Sequence, residues 1–315
     1  MNTDNDLALN NQNDDFIDMY DILAYLVKEK LSIILIAMLF SLCGIVYSIS
    51  LPNIYQSKAL LAPNIASSTE SNALGAYGGI VGLSGINPVS QSSESNFPKA
   101  LKKIKTLSFF EESILPNIFL PNLMAVKSWD SETNVIVYDN KIYESTNDPL
   151  APQNSGFKKN TPSVQDSYYE FLKHINIDQD LKTFFITVEV KHQSPYIAKK
   201  WANLLINEIN EFYREKDKLS AERSVEYLYA RVSETSLAEI KQTIAALIQK
   251  ETKTLTLIEA DESYVFEFID PPEAMEKKSE PARAFICIIS TIVGLMLGIF
   301  FVFLKYFYLQ KDRAY

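Results

Sequence analysis

The chain has 315 residues, is 47% hydrophobic and 22% charged, and carries a formal net charge of −9. That length accommodates two ordinary domains or one domain with membrane segments, and the composition excludes wholesale disorder. The acidic balance argues against a nucleic-acid partner, which needs clustered Lys and Arg, and two cysteines, Cys43 and Cys287, provide no disulfide framework.

The first 30 residues are acidic, with Asp4, Asp6, Asp14, Asp15, Asp18, Asp21 and Glu29 set against Lys28 and Lys30. Leu31–Leu51 then runs for 21 residues without a charge, and Ala284–Leu304 does the same near the other end. As helices each would reach about 31 Å, the thickness of a bilayer's hydrocarbon, so both are predicted transmembrane spans. The acidic lead and the lack of an A-x-A site argue against a cleaved signal peptide. Two spans put both termini on one side and residues 52–283 on the other. A loop that long translocates largely regardless of its charge, so the short tails 1–30 and 305–315 are expected to be cytoplasmic.

Beyond the first span, "YQSKALLAP" reads as a strand. A glycine-rich stretch follows, with Gly75, Gly78, Gly79, Gly82 and Gly85. It contains no phosphate-binding pattern and neither lysine nor arginine; a smooth helical face, an apolar loop touching lipid or a neighbour, and a plain flexible loop all fit it. "NVIVYD", "TFFITVEVK" and "YVFEFID" read as three more strands. The first of these is expected to turn back at Asp139-Asn140, and the second to show Phe184, Ile186, Val188 and Val190 on one face.

From Tyr196 to Asp270 there is neither glycine nor proline. Ser194-Pro195 offers an N-cap and a first-turn proline. Ile197, Trp201, Leu204, Leu205, Ile209 and Phe212 then recur at helical spacing, and Leu219, Val225, Leu228, Val232, Leu237, Ile240, Ile244 and Leu247 continue the stripe. The pattern predicts a long helix over about 195–258, with Pro195, Trp201 and Asn203 at its root. Its first 56 residues alone would extend about 80 Å, so it must project and bury its stripe on other helices. A hairpin broken near Lys216–Ser220 is the alternative.

No catalytic constellation is evident. His174 and His192 stand without partners at ligand spacing and read as solvated or packed imidazoles, and the acidic pairs read as solvated surface. No cofactor or metal is expected, and the chain reads as a non-enzyme. Gly294 and Gly298 form a G-x-x-x-G in the second span. The first span carries Ala37, Ser41, Gly44 and Ser48, so close pairing of the spans, within or between subunits, is expected. Pro271, Pro272, Pro281 and Arg283 precede the second span, where proline's fixed φ makes a stiff link and arginine reaches lipid phosphate.

The order of these segments resembles the Wzz family of polysaccharide co-polymerases, the O-antigen chain-length determinants. The likeness runs from "IDMYDILAYLVKEK" through "YQSKALLAP", "LGAYGGIVGLSGI" and "VKHQSPYIAKKWANLLINEIN" to "ADESYVFEFIDPPEAMEKKSEPARAFICI". It implies a membrane-anchored α+β protein of the bacterial inner membrane. Two transmembrane helices, 31–51 and 284–304, would flank a periplasmic mixed α/β base (about 52–194 and 259–283) with a long protruding helix. The resemblance matches Pro271, Pro272, Pro281 and Arg283 to a juxtamembrane proline-rich segment. It further implies a ring homo-oligomer, an octamer, acting with a separate polysaccharide polymerase on polyprenyl-linked glycan to set modal O-antigen length. Only 11 residues follow Leu304, without a nucleotide loop, so no fused kinase is expected. A capsule or exopolysaccharide co-polymerase, working with a separate kinase or an outer-membrane channel, shares the layout.

Overall fold

The computed structural model describes residues 25–64, 96–144, 156–158, 161–260 and 263–313. The glycine-rich stretch and all of "IDMYDILA" lie outside them. In chain order the elements are α1 (Lys30–Ser50), β1 (Tyr55–Pro63), α2 (Asn96–Lys103), a run of short helical turns (107–117) and α3 (Leu120–Met124). They continue with β2 (Val126–Asp130), β3 (Val135–Tyr138), α4 (Val164–His174), β4 (Ile175–Gln179), β5 (Ile186–His192) and α5 (Pro195–Glu234). The last are α6 (Ala238–Ala260), β6 (Phe266–Asp270) and α7 (Arg283–Arg313). The chain divides into two compact units, one of residues 1–51 with 280–315 and one of residues 52–279.

In the first unit α1 and α7 lie side by side. Gly298 meets Ile33, Gly294 meets Ala37 and Phe40, and Gly44 meets Ser290. Positions rise along one helix as they fall along the other, so the pair is antiparallel. Glu29 and Lys305 close one end with an ion pair of 2.7 Å, beside a Tyr25–Tyr306 ring contact. Both helices are long and apolar enough to cross a membrane, with mean hydropathies of 2.4 and 2.7. Their outer faces expose large apolar side chains, among them Leu31, Leu35, Met38, Met296 and Phe300. A core helix of a soluble protein would bury these; here they form apolar surface of the kind that seeks lipid or protein.

The second unit is built on a four-stranded antiparallel sheet of order β4-β5-β1-β6. Alternation along β5 puts Ile186, Val188, Val190 and His192 on the buried face, beside Ala59 and Leu61 of β1 and Phe266 of β6. The first half of α5 covers that face with Ala198, Trp201, Ala202, Leu205, Ile206 and Ile209. Phe109, Phe110 and Ile114 of the helical turns and Phe171 of α4 complete the core. On the other face Lys58 pairs with Glu189 directly across the β1–β5 ladder at 2.6 Å, and Asn176 of β4 reaches the same carboxylate.

Three local expectations are corrected. Phe184 is not on the strand: it takes a φ of 60° in the turn before β5 and is exposed. "NVIVYD" pairs backward with β2, through a turn at 131–134, rather than forward across Asp139-Asn140. Both turns have the same construction. Asp130 accepts the Glu132 N–H and the Thr133 hydroxyl, Asp180 accepts the Lys182 N–H and the Thr183 hydroxyl, and a residue of positive φ follows each. β2 and β4 were not foreseen.

The third correction concerns the expected single helix over about 195–258. It is two helices: α5 ends at Glu234, Thr235 turns extended, and α6 starts at Ala238. The turn is neither at Lys216–Ser220 nor marked by glycine or proline. Beyond the sheet a lone helix has nothing to bury its stripe against. Folding back covers Ala221 and half-buries Val225, Leu228 and Val232 of α5 on the α6 side that carries Ile244 and Ile258. An ion pair from Lys218 to Glu259 at 3.0 Å marks the foot of this hairpin. From there α5 climbs 16 residues to its end, about 24 Å.

Candidate functional site at the root of the helical hairpin

Three fastenings hold the hairpin to the sheet. The first is aromatic. Pro195 is buried as the first residue of α5, and Trp201, one and a half turns on, is 2% exposed. Its ring packs edge-on against His192 at 5.0 Å and His174 at 5.7 Å, with Phe171 beyond. Ser194 occupies the N-cap position without a side-chain cap; its N–H instead donates to His192 Nδ1 at 2.9 Å. His192 Nε2 therefore carries the proton and donates to the Asn122 carbonyl at 2.9 Å. Burial, with the neighbouring His174 adding to it, pushes the His192 pKa from 6.5 to about 4. Both histidines are thus packed imidazoles. Among the described residues no group of three or more His, Cys, Asp or Glu is placed to hold a metal ion.

The second fastening is Asn210. Its Oδ1 accepts the N–H groups of Val265 and Phe266 at 3.0 and 2.8 Å, and its amide donates to the Phe266 carbonyl at 2.9 Å. One buried side chain thereby satisfies the start of β6, which would otherwise lose its partners against an apolar helix. Asn203, expected to act at the root, turns back to the Lys199 carbonyl in its own helix at 3.2 Å.

The third is Asp217, where α5 leaves the sheet. Its carboxylate accepts the Tyr264 hydroxyl at 2.8 Å and the Asn96 side-chain amide. Burial and the adjoining carboxylate hold the Tyr264 phenol above its ordinary range. Asn64, at the end of β1, donates its N–H to Val265 at 2.9 Å. Asn64 is thus anchored at Val265, next to Tyr264, and Asn96 at Asp217, which accepts the Tyr264 hydroxyl.

Asn203, Asn210 and Asp217 stand seven residues apart, on nearly one line of the helix. Polar residues recurring within an apolar stripe were the signal for the second and third fastenings.

The proline-rich segment follows β6. Pro271 is exposed, Pro272 buried and Pro281 half-buried, and Arg283 opens α7. Between them the segment is strapped along the start of β1. Ser57 donates to the Glu273 carbonyl at 2.8 Å, Glu273 pairs with Lys199 at 2.8 Å, and the Ser279 N–H donates to the Ile54 carbonyl at 2.8 Å.

Gly44, Gly294 and Gly298 are all turned toward the chain's own partner helix. A Cβ on Gly294 would stand 3.0 Å from the Ala37 backbone and 2.7 Å from Phe40 Cβ; on Gly44 it would stand 2.3 Å from Ser290 Oγ. The hairpin's outer surface is less complete. Leu219, Tyr227, Tyr229, Leu237, Ile240, Leu247 and Leu257 are exposed. One face of α5 lines an open groove of about 760 Å³ with Phe212, Lys216, Leu219, Arg223 and Tyr227.

Within residues 52–279, then, the sheet is bolted to the helical hairpin and the segment after β6 is strapped to the start of β1. Residues 15–107 match the family described as Wzz, chain length determinant protein. That is a Wzz family match. It covers the first apolar helix, β1 and α2. No curated protein matches the chain. Among solved structures the neighbours include a full-length bacterial polysaccharide co-polymerase, 12% identical with a TM-score of 0.38, covering 95% of this chain and 100% of that one. A fragment of WzzB, a polysaccharide co-polymerase from Salmonella Typhimurium, is 13% identical with a TM-score of 0.30, covering 72% of this chain and 100% of that one.

Proposed function

We propose that this chain is a non-enzymatic regulator of lipopolysaccharide O-antigen length, acting as an oligomeric inner-membrane scaffold beside the polysaccharide polymerase. The Wzz match over residues 15–107 carries the reading and supports a chain-length role in general. The two antiparallel apolar helices support a membrane anchor with both termini on one side, cytoplasmic in this reading, and residues 52–283 periplasmic. The hairpin's uncovered leucines and tyrosines support assembly. One copy leaves the stripe half solvated, and a ring of copies would bury it. The three fastenings would hold each hairpin at one angle to its own sheet, so that copies meet in register. In this scheme the scaffold touches the polymerase and the growing polyprenyl-linked glycan without bond chemistry of its own.

The test is genetic. Removing the gene should turn a modal ladder of O-antigen lengths into a random distribution on a silver-stained gel, and the full chain should restore the mode. A chain whose hairpin is shortened to end near Ala221 and Ile258 should insert and fold but fail to restore it. An unchanged ladder on deletion would overturn the O-antigen reading; loss of capsule with normal lipopolysaccharide would assign the scaffold to capsule export instead.

A further inference from the structure

The groove on α5 runs from Phe212 to Tyr227, fifteen residues or about 22 Å of helix. An aromatic ring stands at each end. Phe212, at the foot, takes the Lys103 ammonium of α2 over its ring at 4.8 Å. Tyr227, at the top, is 58% exposed, and its hydroxyl accepts from Arg231 Nε at 3.0 Å. Lys216, Ser220 and Arg223 line the stretch between the rings. The two cations are seven residues apart, so they follow nearly one line of the helix at a spacing of about 10 Å.

Lys216 and Arg223 differ from their neighbours. From Arg214 onward α5 carries five basic residues. Arg214 pairs with Glu211, Lys218 with Glu259 at 3.0 Å and Arg231 with Glu234 at 2.8 Å. The remaining two are the ones that line the groove; both are exposed, and neither forms an ion pair among the described residues. Glu215, near the foot, is the one acid among the described lining residues, so the cations outnumber it two to one.

An open, elongated trough encloses a compact ligand poorly and accommodates a chain. A second copy laid over it would strand two charges unless it brought acids to them. The apolar side chains for such a contact are on α6, where Ile240, Leu247 and Leu257 are exposed. A glycan bearing carboxylates answers both features of the groove. The C–H face of a sugar ring is apolar and settles on the negative face of an aromatic ring. A carboxylate meets the arginine fork through two parallel hydrogen bonds and meets lysine as a point charge.

We propose that the α5 groove holds a segment of a carboxylate-bearing glycan chain, with sugar rings against its aromatic ends and acid groups on Lys216 and Arg223. This rests on the reading of the chain as a regulator of glycan length, and it names where the glycan is held and which charge it carries.

The test titrates the full-length protein in detergent with oligogalacturonate, a uronic-acid oligosaccharide. Dextran of the same length and polyglutamate with the same number of carboxylates serve as comparisons. Oligogalacturonate should bind at least about tenfold more tightly than dextran, and Lys216→Gln combined with Arg223→Gln should remove about tenfold of that affinity. Tyr227→Ala should weaken oligogalacturonate and leave polyglutamate unaltered. These side chains are exposed, so the variants should melt with the parent. Equal binding of oligogalacturonate and dextran overturns the proposal, as does a double variant that binds like the parent. Polyglutamate binding as tightly as the uronate assigns the groove to an acidic protein segment instead. A double variant with altered subunit number assigns it to a contact between copies. The two readings fail separately. An unchanged O-antigen ladder on gene deletion removes the length-regulator reading while uronate binding stands; a randomised ladder without uronate binding removes the groove alone.

Discussion

Tyr264 donates its hydroxyl to the Asp217 carboxylate at 2.8 Å, joining the start of β6 to the helix at the point where that helix leaves the sheet. A hydrogen bond to a charged acceptor contributes about 1.5–3 kcal/mol when its partner stays buried. Tyr264 is 5% exposed. Tyr264→Phe is expected to destabilise residues 52–279 by about that amount in a denaturant titration. Asp217→Asn should cost less, because an amide oxygen still accepts the phenol. Equal and negligible effects would show that the ring, and not the hydrogen bond, fixes this crossing.

His192 makes stability depend on acid. Its folded pKa, about 4, lies below the unfolded value of 6.5, so the unfolded chain binds the extra proton between those limits. Stability from this group is complete above pH 6.5 and falls as pH drops to about 4, by up to about 3 kcal/mol; below pH 4 it loses no more. His192→Gln should flatten the stability profile of residues 52–279 between pH 6.5 and 4 relative to the parent. Matching slopes in the two proteins would assign the acid sensitivity to carboxylates.

Trp201→Ala should remove the aromatic fastening. Loss of a large enclosed side chain costs about 3–5 kcal/mol, and its neighbours His174, His192 and Phe171 would be left around a cavity. Thermal melting of residues 52–279 checks this. The near-ultraviolet circular dichroism of the aromatic cluster should collapse in parallel.

The three membrane glycines should rank by what a methyl group would strike. Gly44→Ala would bring its Cβ to 2.5 Å from Ser290 Cβ, which no rotation of the hydroxyl relieves, and Gly294→Ala would bring its Cβ to 2.7 Å from Phe40 Cβ and 3.0 Å from the Ala37 backbone, so these two should weaken the helix pair most. Gly298→Ala meets Ile33 at 3.2 Å and should be mildest. Thermal midpoints in one detergent give the order. Since all three contacts are within one chain, the loss should appear in the monomer and not as a change in subunit association alone.

Much of this architecture was legible because the signals were long or repeated. Two uncharged runs of 21 residues gave the apolar helices, and alternation from Ile186 to Val190 gave β5. The start of the long helix was equally plain from Pro195 and the stripe through Ile209. What escaped depended on single polar atoms. The stripe continues past Glu234 without glycine or proline, so periodicity alone predicts one helix; the turn at Thr235 is set by what the hairpin buries. Phe184 looked like a strand residue because it is aromatic, whereas the Asp180–Thr183 turn forces its positive φ. Asn210 and Asp217 were hidden because a polar residue in an apolar stripe has meaning only once its partner, distant in sequence, is known.

Asn64 is fixed to Val265, next to Tyr264, and Asn96 to Asp217, the acceptor of the Tyr264 hydroxyl. The end of β1 and the start of α2 therefore share one mooring. A substitution that shifted the Tyr264 ring would release both at once, so damage at this single point would spread to two elements distant in sequence.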